Sequence, residues 1–168
     1  MNKIGVVGGG LMGSGIAEVC ARAVHDVVVV ESSAAAVDAA LHRLENSLRR
    51  AESRGKIESA AAVLANISVV GDLAAMADRD VVVEAIVEDE DAKVDLFKRL
   101  DSIVESPSAI LASNTSSIPI MKLGVVTSRP QQVIGIHFFN PVPVLALVPS
   151  ENQASLTGVP ITAVNCGD

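Results

Sequence analysis

Short β-branched runs alternate with longer amphipathic stretches along this chain. The first run, 3–7, predicts a strand; a glycine cluster follows, and 11–24 then reads as a helix. Residues 26–31 hold four consecutive valines, the continuous apolar strand that a parallel sheet covered on both faces requires. Ser32 and Ser33 are good helix caps. After them Val37, Leu41, Leu44 and Leu48 recur at helical spacing, with His42, Arg43, Glu45, Arg49 and Arg50 on the other side. Gly55 can end that helix, and an alanine-rich piece runs over 58–64. Strands are predicted at 67–70, 79–84, 109–112 and 133–138. Between them 89–104 predicts a helix, with Val94, Phe97, Leu100 and Ile103 on one face and an acidic start, Glu88 to Asp91, that complements the helix dipole. The alternation predicts an α/β fold of Rossmann type, a doubly wound and mostly parallel sheet with a helical hairpin after the second strand.

Composition narrows the picture. Within 168 residues, 13 Lys and Arg stand against 20 Asp and Glu, a net charge of −7 that argues against a nucleic-acid or anionic-membrane binder. Apolar residues make up 49% and charged ones 20%, which excludes disorder for most of the chain. The only aromatics are Phe97, Phe138 and Phe139, so Ala, Val, Leu and Ile must build the core. Cys20 and Cys166 offer neither a disulfide framework nor metal-ligand spacing, and a reducing, cytoplasmic setting is expected. Cys20 is read as a small buried side chain rather than a nucleophile. Every apolar run is cut by Gly, Pro or a charge short of a membrane span. From 150 to 168 only Glu151 and Asp168 are charged, and a poorly ordered tail is expected over 149–168, after a domain spanning 1–148.

The chemistry starts at Gly8-Gly9-Gly10-Leu11-Met12-Gly13, a G-x-G-x-x-G between predicted strand and helix. Gly8 allows the tight turn, Gly10 lets a pyrophosphate reach the backbone, and Gly13 lets the helix approach the sheet. The helix start, at Leu11 and Met12, offers N–H groups to the anion. Glu31 ends the next strand, eighteen residues past Gly13, where a carboxylate accepts bonds from ribose hydroxyls. It would repel a 2′-phosphate, and no Arg or Lys is adjacent to it in the sequence, so NAD is expected rather than NADP.

Further motifs carry a resemblance. Val83-Glu84-Ala85-Ile86-Val87-Glu88, Ser113-Asn114-Thr115-Ser116-Ser117 and His137-Phe138-Phe139-Asn140-Pro141-Val142-Pro143 follow the glycine turn in this order. From Lys3 to about Val148 the chain resembles the NAD-binding domain of the 3-hydroxyacyl-CoA dehydrogenases of the 3-hydroxybutyryl-CoA type. The resemblance implies oxidation of a 3-hydroxyacyl-CoA in fatty-acid metabolism, with hydride passing to NAD. It implies His137 as the base, suited because imidazole titrates near neutral pH, and Ser116 as donor to the substrate oxygen. Ser116 alone could equally cap a helix starting near Ser117. It also implies cofactor contacts at Glu88, Lys93, Asn114 and Asn140, and contacts to CoA at Ser47 and Arg54, where Arg54 replaces a lysine.

Two departures matter. The resemblance implies a glutamate twelve residues past the histidine, and that position holds Pro149, with Glu151 two places on. It also implies a helical second domain that closes the site and forms a dimer, and the residues after Val148 do not resemble it. Low turnover is therefore expected, with NAD binding retained. Losing a histidine's orienting carboxylate costs on the order of ten-thousand-fold in the serine-protease case. Two other readings compete: a different hydroxy-acid dehydrogenase on this fold, and a non-catalytic NAD-binding module with an apolar docking patch at Phe138, Phe139, Val142, Val144 and Leu145.

Overall fold

The computed structural model describes residues 1–138 and residue 142. Six strands, β1 (Lys3–Val7), β2 (Asp26–Val30), β3 (Ile67–Val70), β4 (Val81–Glu84), β5 (Ile110–Ser113) and β6 (Val133–Gly135), form one sheet in the order β3-β2-β1-β4-β5-β6. Every pairing is parallel, so the sheet is wholly rather than mostly parallel among the described residues. The helices are α1 (Leu11–Arg22), α2 (Ala34–Ser53), α3 (Ala60–Leu64), α4 (Glu90–Ile103) and α5 (Ile120–Gly124). This is the doubly wound Rossmann arrangement, whose strand order reverses at β1, and ligands bind such sheets at the carboxyl ends of the strands beside that reversal.

Strand alternation splits the core into two layers. Ile4, Val6, Val27, Val29, Val81 and Val83 face α1 and α2 and pack against Ile16, Ala17 and Leu44. Val7, Val30, Val82, Leu111 and Val133 face the opposite side, against Leu96, Phe97 and Leu100 of α4 and Leu123 of α5. Burying each of these large side chains contributes about 1.5–3 kcal/mol. Gly5 is placed by space: a Cβ there would lie 2.3 Å from the Met76 sulfur, in the 3-10 turn Leu73–Met76 that crosses over β1.

Local chemistry sets the element ends. α1 stops at Arg22, two residues earlier than expected, because the chain turns into a Schellman closure. The N–H of Val24 donates to Ala21 at 3.0 Å and that of His25 to Cys20 at 3.2 Å, with Val24 held at φ +61°. The Ser33 hydroxyl caps α2 by accepting from the Ala36 N–H at 3.2 Å. The buried face of α2 is Ala40, Leu44, Leu48 and Ala51, whereas Val37 and Leu41 are only half-buried. Asp89 caps α4 through the Ala92 N–H at 2.8 Å.

Several expectations are corrected. β6 ends at Gly135 rather than at 138, although the Ile136 N–H still donates to Ser113 of β5 at 2.9 Å. α5 and the 3-10 turns at Leu73–Met76 and Pro130–Gln132 are additional elements. Phe138 and Val142 belong to the core, 7% and 5% exposed, and so cannot serve as a docking patch. Phe139, Val144, Leu145, Cys166 and the expected tail at 149–168 lie outside the described residues. Among the described residues no helix is long and apolar enough to cross a membrane.

Candidate functional site

The turn between β1 and α1 is made by glycines with separate tasks. Gly8 sits at φ +97°, and a Cβ there would fall 2.7 Å from the Ala85 carbonyl oxygen of the loop after β4. Gly13 presses α1 onto the turn itself, since its Cβ would lie 1.8 Å from the Gly8 oxygen. Gly10 is the open position, where an added Cβ would meet nothing within 4 Å. As the N-cap of α1 it supplies no side-chain bond, and the first turn carries no acidic residue. The leading N–H groups of α1, those of Leu11 and Met12 included, thus stand at a bare, positively polarised end. The Ser14 hydroxyl braces the turn by donating to the Gly9 oxygen at 2.7 Å.

Beyond the turn lies a cleft of about 820 Å³ along the carboxyl ends of β1, β2 and β4, bounded by Gly10, Glu31, Gly71, Ile86 and Arg99 among others. Its size suits a small-molecule site. Glu31 reaches back into the turn: one carboxylate oxygen accepts from the Gly9 N–H at 2.6 Å and the other from the Ser32 N–H at 3.2 Å. A carboxylate oxygen has two lone pairs, so each keeps capacity for a ribose hydroxyl. One expectation changes here. No cation neighbours Glu31 in the sequence, but α2 brings one back in space, and Arg43 donates to the Gly9 oxygen at 2.6 Å. A cation thus stands at the same turn that Glu31 reaches.

On the far side of β1 a charged cluster underlies the loop after β5. Glu84, the last residue of β4, and Lys93 of α4 are both fully buried. The Lys93 ammonium lies 2.8 and 2.9 Å from the two Glu84 oxygens and 2.9 Å from Glu88. Lys93 is thus held inside the protein by both glutamates. Glu84 also accepts from the Ile86 N–H at 2.8 Å and from the Ser113 hydroxyl.

Glu88 gathers the loop. It accepts from the Thr115 hydroxyl, the Ser116 N–H at 3.1 Å, the Ser117 N–H at 3.3 Å and the Ser117 hydroxyl at 2.9 Å. Burial pushes its carboxyl up, but bonds from Thr115, Lys93 and Ser117 outweigh that and bring it from 4.5 down to about 2. Ser116 is not a helix cap. The Thr115 hydroxyl accepts from the Ile118 N–H at 3.0 Å in a turn, and α5 starts only at Ile120, with Pro119 before it.

Asn114 joins this loop to the segment of His137: its side-chain oxygen accepts from the Phe138 N–H at 3.4 Å. His137 follows β6 at the same end of the sheet and is half-buried. Asn140 lies outside the described residues.

On α2, Ser47 is half-buried and Arg54, the C-cap, is exposed. Beside them an open groove of about 560 Å³ is lined by Arg43, Asn46, Arg49, Arg50 and Ser53, a cationic strip on an acidic protein. Arg43 touches both this groove and the glycine turn. Cys20 is half-exposed as a residue, yet burial pushes its thiol up to about 11, which leaves it little thiolate near neutral pH. Among the described residues no group of three His, Cys, Asp or Glu is placed to hold a metal ion.

Known proteins resemble this chain in sequence and fold. The family described as "3-hydroxyacyl-CoA dehydrogenase, NAD binding domain" matches residues 3–151. A 3-hydroxybutyryl-CoA dehydrogenase of Mycobacterium tuberculosis is 51% identical over 150 residues, covering 88% of this chain and 52% of that protein. The crystal structure of M. tuberculosis FadB2 superposes with a TM-score of 0.84 at 50% identity, over 86% of this chain and 52% of the other. The (S)-3-hydroxybutyryl-CoA dehydrogenase PaaH1 from Ralstonia eutropha gives 0.83 at 44% identity, over 88% and 52%. The chain thus spans about half the length of the relatives it matches. With the glycine turn, the cleft and the loop after β5 all in place, the chain belongs to the NAD-binding domain family of the 3-hydroxyacyl-CoA dehydrogenases.

Proposed function

We propose that this chain supplies the dinucleotide-binding domain for NAD-dependent oxidation of a 3-hydroxyacyl-CoA, with 3-hydroxybutyryl-CoA as the representative substrate. One observation carries the reading. The bare turn at Gly10 and the loop holding Ser116 lie on either side of the reversal at β1, at the same end of the sheet. The residues fit the cofactor: Gly10 leaves open space, the first turn of α1 offers N–H groups, and Glu31 has free lone pairs. NAD, when bound, supplies the acceptor for the hydride leaving C3. Gly8, Gly10, Leu11, Met12 and Gly13 hold the diphosphate, and Glu31 takes the adenosine ribose.

Asn114, Glu88 and Asn140 frame the nicotinamide end. Ser116 donates to the substrate's C3 oxygen and orients it. The His137 imidazole takes the hydroxyl proton as the C3 oxygen becomes a carbonyl. Ser47 and Arg54 meet the CoA moiety at the cationic strip of α2, where phosphates gain most from the guanidinium groups. The reducing cytoplasm is the proposed compartment. Pro149, where a carboxylate partner for His137 is implied, favours slow turnover by these 168 residues.

Calorimetry with NAD and NADP tests the binding claim. NAD should bind at least about tenfold more tightly, the loss expected when a 2′-phosphate meets a fixed carboxylate. Equal affinities would remove Glu31 from the argument, and no binding of either would remove the whole reading. Reduction of acetoacetyl-CoA followed at the NADH absorbance should be slow but should vanish in His137→Ala.

A further inference from the structure

We propose that Glu84, Lys93 and Glu88 form a positioning relay that presets the loop at 113–117, and with it the nicotinamide end of the cleft. The inference rests on the dinucleotide reading above and assigns roles that reading lacks. Glu84 has had none, and Lys93 takes one from inside the protein, between the two glutamates.

The arrangement is a costly one for mere packing. Burying an ion pair is repaid only by good geometry and further hydrogen bonds. Apolar side chains would suit both positions. Glu84 closes a run of three buried valines, and Lys93 lies on the same buried stripe of α4 as Leu96, Phe97 and Leu100. What the charges gain is contact with the loop. Glu84 holds its start, through the Ser113 hydroxyl. Glu88 holds its end, through Thr115, Ser116 and Ser117. Lys93 bridges the two carboxylates, at 2.8 and 2.9 Å, and cancels one of their two charges.

The loop held in this way passes the hold onward. Asn114 accepts from the Phe138 N–H, and the Ser113 oxygen accepts from the Ile136 N–H, so both contacts flank His137 in sequence. β4 and β5 lie across β1 from Glu31. A dinucleotide anchored at Gly10 and Glu31 must lay its second half over them. The relay thus fixes the half of the site that Gly10 and Glu31 do not reach, before a ligand arrives.

The test separates the two halves of the cofactor. The full chain is titrated with NADH and with ADP, which lacks the nicotinamide riboside. The wild type should prefer NADH. In Glu84→Gln and in the double variant Glu84→Gln/Lys93→Met, that preference should fall about tenfold or more, the usual penalty for a misplaced positioning group, while the ADP affinity holds. Lys93→Met alone strands a buried carboxylate and is expected to melt early; the double variant leaves no buried charge stranded and carries the test if the single one fails to fold. Thr115→Val, which removes the hydroxyl's bonds to Glu88, Ser117 and Ile118 without altering charge, should show the same split in smaller degree. Folded variants that keep the NADH preference, or that lose both ligands in parallel, overturn the relay. So does a wild type that binds NADH and ADP equally. A wild type that binds neither ligand defeats the dinucleotide reading instead.

Discussion

Gly10 and Gly13 stand three residues apart in one turn, yet alanine at each should fail in a different assay. At Gly13 the new methyl would lie 1.8 Å from the Gly8 oxygen and 2.9 Å from its carbonyl carbon. Relief to ordinary contact needs a shift of about 1.5 Å, a whole residue's rise along α1. Overpacking of this kind costs about 1–3 kcal/mol, and more where backbone meets backbone. Taking about 3 kcal/mol, at about 2–4 °C per kcal/mol for a chain of this size, Gly13→Ala should melt some 6–12 °C early.

At Gly10 the methyl meets nothing within 4 Å, and φ −63° suits alanine. Losing glycine as the N-cap costs about 1 kcal/mol at most, so the melting temperature should move by only a few degrees. The methyl would stand where a diphosphate must approach the backbone. Each charge-assisted bond lost there is worth about 1.5–3 kcal/mol, or roughly ten- to a hundredfold in NAD affinity. Differential scanning fluorimetry and calorimetry on both variants decide the matter. Unchanged NAD affinity in Gly10→Ala would refute the assignment of this turn to the diphosphate. A Gly13→Ala protein as stable as the wild type would refute the close contact between α1 and Gly8.

Two further outcomes are expected. Val24 pays for a left-handed backbone at φ +61° with a β-branched side chain that is 64% exposed, so Val24→Gly should stabilise the protein by about 1 kcal/mol in urea melts; a loss of stability would show that the side chain's own contacts matter more. Glu88 holds its proton less tightly when folded, with its pKa brought from 4.5 to about 2, so the stability it lends is present above pH 4.5 and drains away as the pH falls toward 2. Over that window Glu88→Gln should show a shallower decline in melting temperature than the wild type, and parallel declines would count against the loop contacts.

Much of the sheet was legible because parallel strands buried on both faces must be continuously apolar. β1 and β3 have the bounds their valine and isoleucine runs predict, and the four valines of β2 end where Glu31 starts. The glycine turn was legible for the same kind of reason, since each glycine answers a steric demand that a sequence displays. Short elements were not. α5 has five residues and the 3-10 turns three or four, too few to show a period. On α2, counting only large apolar residues promoted Leu41 and hid Ala40, which packs closely enough that its Cβ would sit 2.7 Å from one placed on Gly9.

The polar features of the site were harder. Arg43 belongs to the solvent side of α2 by spacing, and only the crossover of the chain returns it to Gly9. Glu84 looked like the mere end of a strand. A signal did exist at Lys93: a lysine on the apolar stripe of α4 asks for a buried counter-charge, and two of the three glutamates just before it in sequence, Glu84 and Glu88, supply it. Glu88 itself, read as one of a run complementing a helix dipole, is instead drawn into the loop after β5.

The strand order also governs how the molecule can be assembled on the ribosome. β1 is made first and ends in the middle of the sheet, and parallel neighbours cannot be joined to it by a hairpin. Its β2 side can be covered once α1 and β2 have emerged, but its other edge waits for Val81–Glu84, after α2, α3 and β3. Throughout that interval the nascent amino-terminal half carries an unpaired strand edge flanked by the apolar side chains of Ile4 and Val6. Such an edge invites pairing with another chain, so translation speed and holding chaperones, rather than final stability, should govern the yield of soluble protein.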